Sequence, residues 1–209
     1  MHLSRDGRSP PGQQPTGTAH GKGRLEAFSD GVLAIIITIM VLQIQVPDGA
    51  TLAALEPLIP TLLAYVLSFV YVGIYWNNHH HLLQASSRIS GSVLWANLHL
   101  LFWLSLLPFG TRWMDDYYTQ PLPSAAYGVV LLGAAVAYWL LQRRIIAAEG
   151  DSSALKQMLA GDWKGKLSPV LYLLGIGLSF VQVHLAQATY ALVALLWLIP
   201  DRRIERRIG

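Results

Sequence analysis

Three consecutive histidines, His79-His80-His81, follow Trp76-Asn77-Asn78 at the close of one long apolar run. Arg24, Glu26, Ser29 and Asp30 stand at the head of another. Side chains of these types can hold a metal ion, relay protons or lock helices together. Successive helical residues point about 100° apart, so adjacent histidines do not converge on one ion, and a helical metal site wants ligands at i and i+4. A buried carboxylate needs a cation or hydrogen-bond donors, which imidazole and guanidinium supply. The pattern favours a structural hydrogen-bonding cluster over a metal centre, provided that both groups lie at the same depth in the fold.

The elements that must position them are membrane spans. A helix needs about 20 apolar residues to cross the hydrocarbon core. Four runs qualify: Phe28 to Val46, Leu55 to Trp76, Val93 to Phe109 and Ala125 to Leu141. A fifth block, Leu167 to Pro200, is too long for one span and slightly short for two. Charge decides between them. If that block crosses twice, with a tight turn around His184-Leu185-Ala186-Gln187, then 14 of the 15 Lys and Arg residues fall on one side and Arg112 alone on the other. That is the pattern of the positive-inside rule. The expected architecture is all-α, with six transmembrane helices and both termini cytoplasmic. By this topology the Arg24–Asp30 and Trp76–His81 groups meet at one depth, on the cytoplasmic side. The Gln142–Lys166 loop is amphipathic enough to lie on the inner leaflet, and no soluble enzyme domain is visible.

Composition agrees. Hydrophobic residues make up 53% of the 209 and charged residues only 13%, against about 25% charged in soluble domains. The pI near 9.3 therefore reads as topology and not as a sign of nucleic-acid binding. With no cysteine, disulfides, thiolate catalysis and Cys-ligated zinc are excluded. The predicted organisation is a disordered cytoplasmic tail over 1–23, rich in Gly, Pro, Gln, Ser and Thr, a membrane domain over 24–200, and a basic cytoplasmic tail over 201–209. The first tail lacks the apolar core of a signal peptide, so the first span is expected to direct its own insertion.

Within the first span, Phe28, Gly31, Ile35, Ile39, Leu42 and Val46 share one helical stripe, with Thr38 at its edge and Asp30 about 140° from Ile35. From the residues alone, this stripe faces lipid or neighbouring helices, as most such stripes do. The letters Tyr71-Val72-Gly73-Ile74-Tyr75-Trp76 echo a carbonyl selectivity filter, but such filters are irregular re-entrant loops, and here the letters lie inside a continuous apolar run.

Two motifs carry a sharper likeness. Arg24-Leu-Glu-Ala-Phe28-Ser29-Asp30, followed by AIIITIMVLQIQVP, resembles the R-x-x-x-F-S-D opening of the first helix in the transmembrane protein 175 family of lysosomal-type potassium channels and their prokaryotic relatives. Trp76-Asn77-Asn78-His79-His80 is similar to that family's Trp/His signature on the second helix, and Leu106 to Thr111 (LLPFGT) to its third segment.

The resemblance implies a potassium-permeable cation channel whose first helix lines a central pore without a carbonyl filter. It places a hydrophobic constriction at Ile35, with further apolar layers at Ile39 and Leu42, and a selectivity-linked threonine at Thr38. Arg24, Ser29, Asp30, Trp76 and His79 or His80 would lock the first helix to its neighbours. A single six-helix repeat implies a homotetramer in the lipid bilayer, a multi-pass protein of a prokaryotic cell membrane. K+ is then the permeant ion, and no cofactor, metal, nucleic-acid partner or enzymatic activity is expected. Two other readings compete with it: a proton-conducting or proton-coupled transporter using Asp30 and His79/His80, and a membrane-embedded hydrolase using the histidines. The hydrolase lacks a carboxylate at ligand spacing.

Overall fold

The structure, a computed structural model, describes residues 16–150 and 163–199, with side chains from Gly21 onward. Among these residues it is all helix, without a strand. The described residues run back and forth along the bundle in six passes. Helix α1 is Thr16–Leu42 and α2 is Ile59–Gln84, the latter entered through a 3-10 turn over Leu52–Leu58. The third pass is a broken pair, α3 (Gly91–Ser105) and α4 (Leu107–Asp116). The fourth is α5 (Pro121–Glu149), and α6 (Trp163–Ser179) and α7 (Val183–Leu198) close the bundle. Four passes are long and apolar enough to cross a membrane: Gly21–Leu42, Leu52–Gln84, Gly91–Asp116 and Pro121–Glu149.

Helix starts and breaks follow from local chemistry. Pro60 and Pro121 occupy the first turns of α2 and α5, where a missing N–H costs nothing. The Ser90 hydroxyl caps α3 by accepting from the Val93 amide. Pro108 cannot donate within a helix, and the third pass tightens before it, with Leu106 N–H bonding to Trp103 O at 3.2 Å. Gly150, at φ +97°, ends α5 in a backbone conformation that a side chain disfavours.

Several boundaries move from their expected places. α1 starts well ahead of Phe28 and stops at Leu42, where Gln43 and Ile44 turn back onto the Met40 and Val41 carbonyls. Val46 therefore lies off the helix and off the stripe. α2 extends through the histidines to Gln84. α5 runs to Glu149, so the first third of the expected Gln142–Lys166 loop is helix. The last hairpin turns at Phe180-Val181-Gln182, not at 184–187, because the Gln182 side chain caps α7 by accepting from the His184 amide at 2.8 Å. The two arms of this hairpin, 17 and 16 residues, are each about 25 Å long. Residues 1–15, Lys156 with the rest of 151–162, and the basic 201–209 tail lie outside the described residues.

Helices pack closely where small residues allow it. The Trp103 ring of α3 rests on Gly133 of α5, and the Tyr190 ring of α7 on Gly128 and Gly175. The four largest fully buried side chains are tyrosines, Tyr71, Tyr127, Tyr172 and Tyr190. Tyr71 donates to the Tyr190 carbonyl (2.6 Å), and Ser68 bonds both Thr111 (2.7 Å) and Tyr127 (2.9 Å). These bonds tie α2, α4, α5 and α7 together at mid-bundle. In hydrocarbon, polar groups must be satisfied inside the protein, and no side-chain N or O wholly closed off from solvent lacks a partner among the described residues.

Candidate functional site: the two faces of the first helix

α1 divides into two faces. Leu25, Ser29, Leu33, Ile36 and Met40 are buried, at the spacing of one helical stripe, against α2, α3 and α4. Phe28, Gly31, Ile35, Thr38, Ile39 and Leu42 face away from the chain's own core and are exposed, Ile35 at 59% and Leu42 at 75%. Ile35 and its neighbour Ile36, which is 3% exposed, are the same residue with opposite surroundings. Thr38 donates its hydroxyl hydrogen to the Ala34 carbonyl at 2.8 Å, which leaves the lone pairs of its oxygen open to that face.

The buried face carries a polar chain through three helices. Ser29, fully buried, donates to the Leu25 carbonyl (2.9 Å) and accepts from Asn97 Nδ2 (2.9 Å). The Asn97 carboxamide oxygen then faces His79 Nε2 at 2.7 Å. An amide oxygen can only accept, so Nε2 of His79 carries the hydrogen. α1, α3 and α2 are joined through one continuous path.

A second set of contacts runs along the α1–α2 seam in rungs one helical turn apart. Lys22 donates to the Gln84 and Ser86 carbonyls (3.3 and 3.0 Å). Glu26 lies 3.7 Å from His80 Nδ1, and Asp30 accepts from the Trp76 indole at 3.1 Å. Trp76 stacks on His80, with ring centroids 6.0 Å apart. The i, i+4 spacing of Lys22, Glu26 and Asp30 meets the i, i+4 spacing of Trp76, His80 and Gln84 because the two helices are antiparallel.

The histidine run thus separates by direction. His79 points into the protein, His80 lies on the seam, and exposed His81 has, among the described residues, a side-chain ring contact with His80 alone. The structure does not bring Arg24 to either set. It is exposed and makes no hydrogen bond or ion pair among the described residues, because on the helical wheel it sits about 200° from Glu26 and within about 40° of Phe28. It continues the open stripe.

Sequence reasoning missed Asn97, which is fully buried and central to the chain. It missed Ser68 and Thr111 as well. The available signal was an amide alone in the apolar run VLWANLHLL, since a polar residue inside a span usually has a task. Among the described residues no group of three or more His, Asp or Glu is placed to hold a metal ion.

At the opposite end of the bundle Arg112 pairs with Asp116 (2.9 Å) and donates to the Gln43 carbonyl (2.9 Å), and Thr61 donates to Asp115 (3.0 Å). Arg112, the one basic residue at that end among the described residues, is thus paired with an acidic neighbour, Asp116.

Comparison with known proteins shows the family and the fold. The family model described as "Endosomal/lysosomal potassium channel TMEM175" matches residues 24–108, a range that includes Ser29, Asp30, Trp76, His79, His80 and Asn97. A potassium channel from Chryseobacterium sp. (strain P1-3) is 54% identical over 187 residues, covering 90% of this chain and 97% of that protein. The crystal structure of a lysosomal potassium-selective channel TMEM175 homologue from Chamaesiphon minutus superposes with a TM-score of 0.75 at 29% identity, over 86% of this chain and 97% of that one. The human endosomal/lysosomal proton channel TMEM175 is 35% identical over 112 residues, 48% of this chain and 22% of its own length. The chain belongs to the TMEM175 channel family.

Proposed function

We propose that the protein is a potassium-permeable cation channel in which the open stripe of α1 lines the ion path. Four copies would surround a central axis in the cell membrane, with both termini cytoplasmic. Ile35, Ile39 and Leu42 would form successive apolar constrictions, and Thr38 would offer hydroxyl oxygens to the passing ion. The observation that carries this reading is the contrast along one helix. Ser29 is turned inward among buried residues, while the large apolar residues Ile35, Ile39 and Leu42 are left open along its length.

The chemistry of the stripe fits conduction without a carbonyl filter. α1 is unbroken from Thr16 to Leu42, so its carbonyls are held by its own amides and cannot replace an ion's hydration shell. A ring of branched apolar side chains controls flow by dewetting, blocking ions until it widens. Ions would then pass largely hydrated, with selectivity left to the width of the ring and the Thr38 oxygens. Reconstitution in planar bilayers under a potassium/sodium gradient tests the proposal. A reversal potential displaced toward the potassium equilibrium value supports it, and one at zero, or no current, contradicts it.

A second reading, proton conduction, is favoured by the name of the human relative, a proton channel. Asp30, Glu26 and His80 form an accessible titratable seam, whereas His79 is closed into the buried chain. Under a pH gradient with symmetric potassium, a reversal potential that follows the proton gradient would favour this reading.

A further inference from the structure

A cavity of about 370 Å³ lies between α2, α5, α6 and α7, away from the open stripe of α1, and none of the features described above makes use of it. Its volume is in the range of ligand sites. Its walls are largely aromatic, and two of the polar side chains lining it are buried without a hydrogen-bond partner among the described residues: Tyr75, 8% exposed, and Gln142, 9% exposed. Among the described residues no side-chain N or O that is closed off from solvent lacks a partner, so the Tyr75 hydroxyl and the Gln142 amide each keep some accessible surface, and both residues line the cavity. At its rim stand Arg143 and Lys166, both exposed, and among the described residues no acidic one lines it. The Arg143 guanidinium is held over the Trp139 ring, 4.8 Å from its centroid, a contact that orients the cation without neutralising it.

We infer that this cavity binds one anionic phospholipid. Charge complementarity commits it to that occupant: two cations with no acidic partner among the described residues, over an uncharged interior rich in aromatic rings, suit a single phosphate with apolar chains below it. Arg143 and Lys166 receive the phosphate, Gln142 and Tyr75 meet the glycerol-ester oxygens, and the acyl chains lie along the aromatic wall. Basic pockets between transmembrane helices commonly select anionic headgroups in this way.

Native mass spectrometry of the full-length protein, incubated with phosphatidylglycerol or phosphatidylcholine of identical acyl chains, tests the assignment. Phosphatidylglycerol should be retained roughly ten-fold more than phosphatidylcholine, and Arg143→Gln with Lys166→Gln should abolish that preference, as loss of charge-assisted bonds to phosphate requires. Arg88→Gln, an exposed charge outside the cavity, should leave it unchanged. Ala135→Phe, which fills the cavity while keeping both cations, should also displace the bound lipid. Equal retention of the two lipids overturns the assignment. So does an unchanged preference in the double variant, a loss in Arg88→Gln as large as in that variant, or full retention in Ala135→Phe.

Discussion

The two faces of α1 are built from nearly the same residues and live in opposite surroundings. The inner face holds Leu25, Leu33, Ile36 and Met40 around one serine, and the outer face holds Ile35, Ile39 and Leu42 around one threonine. Apolar type does not tell them apart, since a lipid-facing or pore-facing isoleucine and a core isoleucine look alike in sequence. The difference lies in what the polar residue does. Ser29 has both its donor and its acceptor function spent within the protein, whereas Thr38 spends only its hydrogen and leaves its oxygen outward. The inner face is committed to packing and hydrogen bonding within the chain, and the outer face is left open.

Paired substitutions across this boundary should break or sharpen that division. The largest effect is expected from Ile36→Asn, which removes packed branched carbons and buries an amide without partners. It should destabilise the fold by on the order of 4 kcal/mol, read as a drop in thermal midpoint in detergent. Ile35→Asn, one residue away, should leave the midpoint nearly unchanged. Comparable losses in the two variants would show that both faces are packed in the working protein. Asn97→Leu comes next. It strands the His79 Nε2 hydrogen and the Ser29 oxygen, and the cost is about 2 to 3 kcal/mol. A midpoint equal to wild type would mean that the three-helix chain contributes nothing.

Smaller still is Trp76→Phe, which removes the indole donor to Asp30 but keeps the ring over His80. Because the seam is exposed, a loss of under about 1 kcal/mol is expected, and a larger one would place the seam in a drier environment than the structure gives it. Thr38→Val should leave stability within about 0.5 kcal/mol. Its effect is expected in the potassium-over-sodium permeability ratio, which should fall. An unaltered ratio in bi-ionic reversal measurements would remove Thr38 from the selectivity mechanism.

Much of this was legible in the sequence. Length and hydropathy marked the first four passes, and the distribution of Lys and Arg required the last block to be a hairpin. The exact turn was not legible, because a glutamine capping a helix at Gln182 gives no signal distinguishable from an ordinary loop residue. Asp30 and the Trp76–His81 run stood out as polar groups in apolar runs, and helical spacing explains why His79 and His80 take different partners. Arg24 illustrates the opposite case. It shares the head of α1 with Glu26 and Asp30, yet helical rotation turns it to the other side. Asn97 escaped notice because one amide flanked by apolar residues forms no pattern of its own. Its role depends on Ser29 and His79, which are far from it in sequence.

The claim that the open stripe of α1 is the conduit is tested most directly by single-channel current through Ile35→Asn in planar bilayers with symmetric potassium. An asparagine ring would wet the constriction, so potassium conductance or open time should rise well above wild type. Currents indistinguishable from wild type would contradict the account and turn this face of α1 toward lipid.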